Sequence, residues 1–238
     1  MKNVSVVLLS VVCLAFAGFA EAAKPKKRTR NANRVGAYGV GFLGHTNYTS
    51  DHSQNEQDLE DTLVNTGNPY QDLTTDSKES TIGYNATFGY RFNRYFAAEL
   101  GLAQFGTTDS TVKAQMDFDD GRGFVPVSLK LAFSACGPIV SGIGILPVND
   151  KFEVFGRVGY LFSSSERELT SRVDGERGGF GSAKGDTQDL VLGVGAAYHF
   201  SVVYSVRLEY LKIDEVGQDN RSGLEDLSII GLGVVVRF

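Results

Sequence analysis

Between residues 81 and 92, apolar and polar side chains alternate without a break. Ile82, Tyr84, Ala86, Phe88, Tyr90 and Phe92 share one face, and Thr81, Gly83, Asn85, Thr87, Gly89 and Arg91 share the other. A repeat of two is the side-chain period of a β-strand whose faces meet different surroundings. One such strand fits a solvated sandwich as well as a membrane barrel, so the pattern has to be followed along the chain. It recurs at residues 35–46, 95–106, 151–163, 189–200, 204–213 and 227–238. Phe96, Ala98, Leu100 and Leu102 stand opposite Glu99, and Phe152, Val154, Val158, Tyr160 and Phe162 stand opposite Glu153 and Arg157. Leu190, Leu192, Val194, Ala196, Tyr198 and Phe200 stand opposite Gly193, Gly195 and His199.

The connections alternate in length. Residues 93–94, 147–150 and 201–203 are short turns, whereas residues 47–80, 107–136, 164–188 and 214–226 are long polar connections. Insertion from one side of a membrane produces short turns at one end and long external loops at the other. A soluble sandwich has no reason to segregate its loops in this way, and the external loops 47–80 and 164–188 are expected to be open to protease. One more strand is needed between residues 106 and 151, and two segments compete for it. Val125, Val127, Leu129, Leu131 and Phe133 alternate, as does the run 139–146, with Cys136, Gly137 and Pro138 between them. The preferred reading crosses the membrane with 139–146 and pairs 125–133 with 111–118 in an external hairpin around Asp119, Asp120 and Gly121. The expected fold is all-β, an eight-stranded antiparallel up-and-down transmembrane β-barrel; taking every candidate as a strand gives ten.

The first residues read as an export signal. Met1 and Lys2 precede an apolar run that ends near Ala17, and Ala20, Glu21 and Ala22 supply small residues for cleavage. Val12 stands before Cys13 where lipoprotein processing wants a small residue, so a lipid anchor is not expected. The division predicted is a cleaved signal at 1–22, a basic periplasmic leader at 23–34 and the barrel at 35–238. With the signal removed Cys136 is the one cysteine left, which rules out an internal disulfide, and a bland small side chain is the preferred reading over a reactive thiol. Past the signal no apolar stretch approaches the length of about 18 residues a spanning helix needs. Lys24, Lys26, Lys27, Arg28, Arg30 and Arg34 make the leader basic, while the chain from Val35 onward holds 16 basic against 27 acidic residues. The leader reads as an exported tail or as a contact for anionic lipid headgroups. A nucleic-acid partner would need aromatic platforms beside those charges, and none is there.

No catalytic constellation emerges. There are three histidines, His45, His52 and His199, and no Gly-x-Ser-x-Gly elbow surrounds a serine. Asp117, Asp119, Asp120 and Gly121 lack the spacing of a calcium loop and read as a turn. Asp51, Glu56, Asp58, Glu60, Asp61, Asp72, Asp76 and Glu79 make the first loop acidic. A solvated loop is the preferred reading over divalent-cation bridging to lipopolysaccharide phosphates. No enzyme, metal or cofactor is expected.

The alternation turns Arg91, Glu99, Arg157, Arg207 and Glu209 inward. The lumen of an eight-stranded barrel is just wide enough for side chains to fill, so these charges must find partners or water. A structural ion-pair network is the preferred reading over a regulated ion path. Inward Gly83, Gly89, Gly101, Gly159, Gly193, Gly195 and Gly231 are expected to leave room for trapped water and slight conductance.

The last strand carries Ile230, Leu232, Val234, Val236 and Phe238 at every second position. A terminal aromatic after such alternation resembles the C-terminal assembly signal that the barrel insertion machinery reads. With the stretches Leu146–Gly159, Ser205–Tyr210, Ala98–Gly101 and Gly231–Phe238, the chain resembles the transmembrane domain of outer-membrane protein A, OmpA, and its relatives over residues 35–238. The resemblance implies a Gram-negative outer-membrane location and a charged lumen network to which Glu99, Arg207, Arg157 and Glu209 belong. The inward acid of the family's sixth strand is Ala197 here, and the lysine of its fourth is Ile143. The family's peptidoglycan-binding domain is not expected after residue 238, so cell-wall anchoring is not carried over. The function expected is a structural, envelope-integrity role with at most a narrow porin-like pore. The alternative is an adhesin or receptor-binding barrel that works through its long loops. Expected partners are outer-membrane lipids and lipopolysaccharide, the insertion machinery and a host or phage ligand.

Overall fold

The computed structural model describes residues 34–49, 61, 67–78, 80–216 and 225–238; the expected signal and all of the leader before Arg34 lie outside them. The strands are β1 (Gly36–Thr49), β2 (Tyr70–Lys78), β3 (Ser80–Arg91), β4 (Phe96–Asp117), β5 (Phe124–Pro147), β6 (Phe152–Val173), β7 (Glu176–His199), β8 (Tyr204–Val216) and β9 (Glu225–Arg237). Eight of them close a ring by antiparallel pairing, in the order β3, β1, β9, β8, β7, β6, β5, β4 and back to β3. β2 is the outward continuation of β3: β3 pairs with the first half of β4 and β2 with its second half. Closure leaves the membrane-embedded part without a sheet edge, the condition a barrel must meet in lipid.

Side-chain facing follows the period of two. Leu100 (59% exposed), Phe88 (52%) and Leu232 (59%) point outward, while their neighbours Glu99, Thr87 and Gly233 are buried. An arginine near the middle of the lipid face costs on the order of 2–4 kcal/mol. Leu100→Arg should therefore lower the urea-unfolding stability of the barrel in lipid vesicles by about that amount. An unchanged midpoint would mean that Leu100 does not face lipid.

The three short turns share one device. Asn93 Oδ1 accepts from the amides of Tyr95 and Phe96 at 2.7 and 3.0 Å, Asn149 Oδ1 from those of Lys151 and Phe152 at 2.9 Å, and Ser201 Oγ from those of Val203 and Tyr204 at 3.2 and 2.9 Å. Each polar side chain replaces a ladder partner that the turn removes.

Several sequence expectations are corrected at the other end. β5 runs unbroken for 24 residues, so the two candidates for the fourth strand are parts of one strand and the ten-strand count does not arise, while the preferred pairing holds: Met116↔Val125 to Thr111↔Lys130 make the outer hairpin and 139–146 lies in the ring. Gly137 and Pro138 look like a breaker because Pro138 has no amide hydrogen. Their effect is local, a lapse in pairing to β6 between Cys136↔Ser164 and Ile139↔Leu161, while pairing to β4 continues through them. The regions 107–136 and 164–188 are mostly strand, turning only at 118–123 and 174–175, and residues 70–78 of the first connection are strand β2. β4 to β7 hold 22–24 residues each against 13–14 for β1, β8 and β9. A tilted strand crosses the bilayer in about 9–11 residues, so one side of the barrel rises outward as a wall of β2, β4, β5, β6 and β7. Val112, Ala114, Met116, Val127 and Leu129 form the buried cluster of that wall.

The wall needs β4 to change facing where it leaves the membrane. Phe105 and Gly106 together oppose one residue of β5, since pairing jumps from Gln104↔Cys136 to Thr107↔Ser134. Gly106 has φ +80°, a conformation other residues rarely adopt, and a side chain there would collide with Thr81. Past this bulge the buried positions of β4 are even-numbered, Val112, Ala114 and Met116, where before it they are odd.

The lumen is filled, largely by apolar groups. Phe42, Tyr48, Phe105, Phe133, Leu161, Leu211, Ile213 and Leu227 belong to one cluster, toward the wall end. Tyr38, Val40, Ala97, Ile143, Phe155, Ala197 and Val235 form another, toward the short turns. The room expected beside the inward glycines is occupied by neighbouring side chains or backbone. A Cβ on Gly89 would strike the Tyr38 ring, one on Gly195 the Phe155 ring, and one on Gly193 the Leu211 side chain.

The lumen charges as candidate functional site

Glu99 on β4, Arg157 on β6, and Arg207 and Glu209 on β8 meet between the two apolar clusters, each at most 5% exposed. Arg157 Nη2 donates to Glu99 Oε2 at 2.6 Å, its Nε to Glu209 Oε1 at 2.6 Å and its Nη1 to Ser141 Oγ at 2.6 Å. Arg207 Nη1 donates to Glu99 Oε1 at 2.8 Å, and its Nη2 lies 3.0 Å from Glu209 Oε2. Tyr38 adds its hydroxyl to Glu99 Oε1 at 2.8 Å. Two guanidinium forks thus share two carboxylates, and the group is neutral. Buried charge is tolerable under this condition, because the interior attraction and extra hydrogen bonds offset desolvation only when partners are complete. Arg207 also stacks over the Phe155 ring, 5.4 Å from its centroid, a cation–π contact that does not need the unpartnered Nε.

The register explains how four long side chains fit. Glu99 is paired with Gly89, Arg157 with Gly193, Arg207 with Gly233, and Glu209 with both Gly195 and Gly231. Each charged residue faces a neighbour with no side chain, so it can reach across the lumen.

Arg91 does not join this group. It lies nearer the short turns, where Nη1 donates to both oxygens of Glu153 at 3.1 and 3.0 Å and Nη2 to the Arg94 carbonyl at 2.7 Å. Glu153 also meets Arg34 at 3.7 Å and His199 Nε2 at 3.3 Å. The other ring nitrogen, Nδ1, lies 2.6 Å from Ser205 Oγ, to which Arg237 Nη1 donates at 2.6 Å. Sequence reasoning turned Glu153 and His199 inward but did not single them out, and it missed Tyr38, Ser141, Ser205 and Arg237. Polar residues at inward positions near strand ends were the available signal. Ile230, Leu232 and Val234 form an outward apolar column, with Val236 and Phe238 half-buried.

A family model described as the OmpA-like transmembrane domain matches residues 35–238. A search of curated proteins finds no match. Among solved structures, the outer membrane protein OprG of Pseudomonas aeruginosa is 15% identical, with 89% of this chain and 100% of that chain covered and a TM-score of 0.40. Ail, the attachment invasion locus protein of Yersinia pestis, solved with the heparin analogue sucrose octasulfate, is 12% identical, with 84% and 99% covered and a TM-score of 0.36. The outer membrane protease OmpT of Escherichia coli is 11% identical, with 90% and 99% covered and a TM-score of 0.41.

Proposed function

Because this chain belongs to the OmpA-like transmembrane domain family and is an outer-membrane β-barrel of the Gram-negative type, we propose that it is a closed structural barrel of the envelope rather than a pore. The observation that carries this reading is the apolar filling on both sides of the charge network. Ions cross a lumen by replacing hydration with polar partners; Phe42, Phe105, Leu161 and Leu211 offer none, and of the buried polar side chains beside them Asp189 is already engaged by Ser163 at 2.7 Å while Asn85 is paired with Phe42. Ala197 and Ile143, at positions where the family carries an acid and a lysine, are buried in the cluster nearer the short turns. The cavity beside the charges, lined by Tyr38, Glu99, Arg207 and Arg237, measures about 30 Å³, room for about two waters. In planar bilayers the refolded protein is expected to give no resolvable single-channel steps. Stable steps from the wild-type chain would overturn the closed-barrel reading.

The leader, residues 23–34, emerges in the periplasm after signal cleavage, a reading supported by Arg34 against Glu153 at the end that carries the short turns. Catalysis is not part of the proposal. Ser205 Oγ, beside His199, is fully buried with the Arg237 guanidinium on it, which leaves no approach for a carbonyl. The expected lipid and lipopolysaccharide contacts are supported by exposed aromatics such as Phe88, Tyr160, Phe200 and Tyr204. The insertion machinery remains the expected reader of Ile230, Leu232, Val234, Val236 and Phe238.

A second reading, surface binding by an adhesin or receptor barrel, is favoured by the outward wall. Its own buried cluster and cross-strand pairs such as Lys113–Asp76 and Lys130–Asp109, both 2.8 Å, stiffen a large exposed surface. Shortening both wall hairpins to the rim should leave envelope integrity intact and abolish cell or phage attachment if this reading holds.

A further inference from the structure

The polar group at the periplasmic end contains a histidine whose hydrogen bonds fix its protonation. His199 Nδ1 faces two donors. Ser205 Oγ, 2.6 Å away, already accepts from Arg237 Nη1 at 2.6 Å and so turns its own hydrogen toward the imidazole, and Arg237 Nη2 stands 3.4 Å from the same nitrogen. Nδ1 is therefore an acceptor, and the ring hydrogen sits on Nε2. Nε2 points to Glu153 Oε2 at 3.3 Å, a contact longer and less well aligned than a full hydrogen bond. His199 is 3% exposed and Ser205 fully buried, so neither role passes to bulk water.

We propose that His199 is the proton-sensitive latch that holds the closing strand β9 to the turn between β7 and β8. The strand is tied at that turn by Arg237, through its side chain to Ser205 and through its backbone amide to the Val203 carbonyl at 2.9 Å. A second proton on His199 lands on Nδ1, against the guanidinium. Ser205 must then accept from both sides, and its own hydrogen is left without an acceptor in a buried site, a costly arrangement. The charged groups around the ring sharpen the conflict. Arg91 from β3, Arg237 from β9 and Arg34 ahead of β1 gather around Glu153 of β6, the carboxylate that His199 meets, and the Lys151 carbonyl is occupied by the His199 amide. An imidazolium would add a further cation around Glu153. Arg237 has to withdraw, and the periplasmic end of β9 loosens. The latch lies at the periplasmic end, so it would read the pH of the periplasm.

The test is amide hydrogen exchange of the C-terminal peptide in the refolded full chain, corrected for the intrinsic pH dependence of exchange. Between about pH 7.5 and about pH 5, where an imidazole changes charge, opening of residues 234–238 is expected to rise about tenfold, the scale of one lost charge-assisted hydrogen bond. His199→Gln, which accepts from Ser205 and cannot gain a proton, should show no such rise. A His45→Gln, His52→Gln double variant should keep it. An equal rise in His199→Gln would overturn the latch. Should that variant fail to assemble, ring nitrogen NMR of the wild-type His199 decides: a hydrogen on Nε2 at neutral pH supports the proposal, and one on Nδ1 overturns it.

Discussion

Glu99→Gln is expected to destabilise the barrel by roughly 3–5 kcal/mol, the cost of leaving a buried charge without its partner. Glu99 is the carboxylate that both Arg157 and Arg207 reach, at 2.6 and 2.8 Å. Its removal leaves two guanidiniums on Glu209, a net positive charge in a lumen sealed by apolar layers. Arg207→Gln leaves the opposite excess, with Glu99 and Glu209 sharing Arg157. The double variant keeps the Arg157–Glu209 pair, 2.6 Å apart, and is neutral again. It should therefore lose clearly less than the sum of the two singles, a coupling on the order of 0.5–3 kcal/mol for groups in one network. Urea unfolding in lipid vesicles measures all four corners of the cycle. Arg91→Gln combined with Glu99→Gln is the control, because Arg91 is held by Glu153 and shares no partner with Glu99; these two should add. Strict additivity of the Glu99 and Arg207 changes would mean that the two charges do not interact.

The alternation of residues gave the facing of these charges directly, since a period of two turns Glu99, Arg157, Arg207 and Glu209 inward whatever the barrel's register. It did not say which would meet. That depends on pairings such as Arg157↔Gly193 and Arg207↔Gly233, and register is set by contacts between strands distant in sequence. Arg91 illustrates the loss: one of the five inward charges singled out by pattern, it sits at another height and belongs to Glu153. The glycines misled for a related reason. A missing side chain leaves space only if no neighbour takes it, and the rings of Tyr38 and Phe155 do so across the pairs with Gly89 and Gly195. The hairpin of 111–118 with 125–133 was legible, but the β6–β7 half of the wall went unread because alternation is legible where one face meets lipid. Above the membrane both faces of β6 and β7 carry Ser, Glu, Arg, Lys and Gly, and the same backbone looks like loop. On β4 the signal is further scrambled by the bulge at Gly106, which exchanges odd and even positions midway.

Phe238→Asp is expected to remove nearly all heat-modifiable barrel from the outer membrane of cells, and the reason has to be separated from folded-state energy. Phe238 is half-buried at the periplasmic rim, where its amide donates to the Ala37 carbonyl at 3.1 Å. That bond belongs to the backbone and survives the substitution. A charged side chain near the membrane interface costs only about 0–1 kcal/mol, too little to unfold a closed ring of eight strands. Refolding of the purified variant into lipid vesicles should accordingly proceed, with stability within about 1 kcal/mol of wild type. β9 pairs with β1 on one side and β8 on the other, so it is the strand whose placement closes the ring. A defect confined to cells assigns Phe238 to recognition of that strand before closure. Undiminished barrel in cells would remove the assembly role. Equal failure in vesicles would give the aromatic a structural role at the seam, because the insertion machinery is absent there.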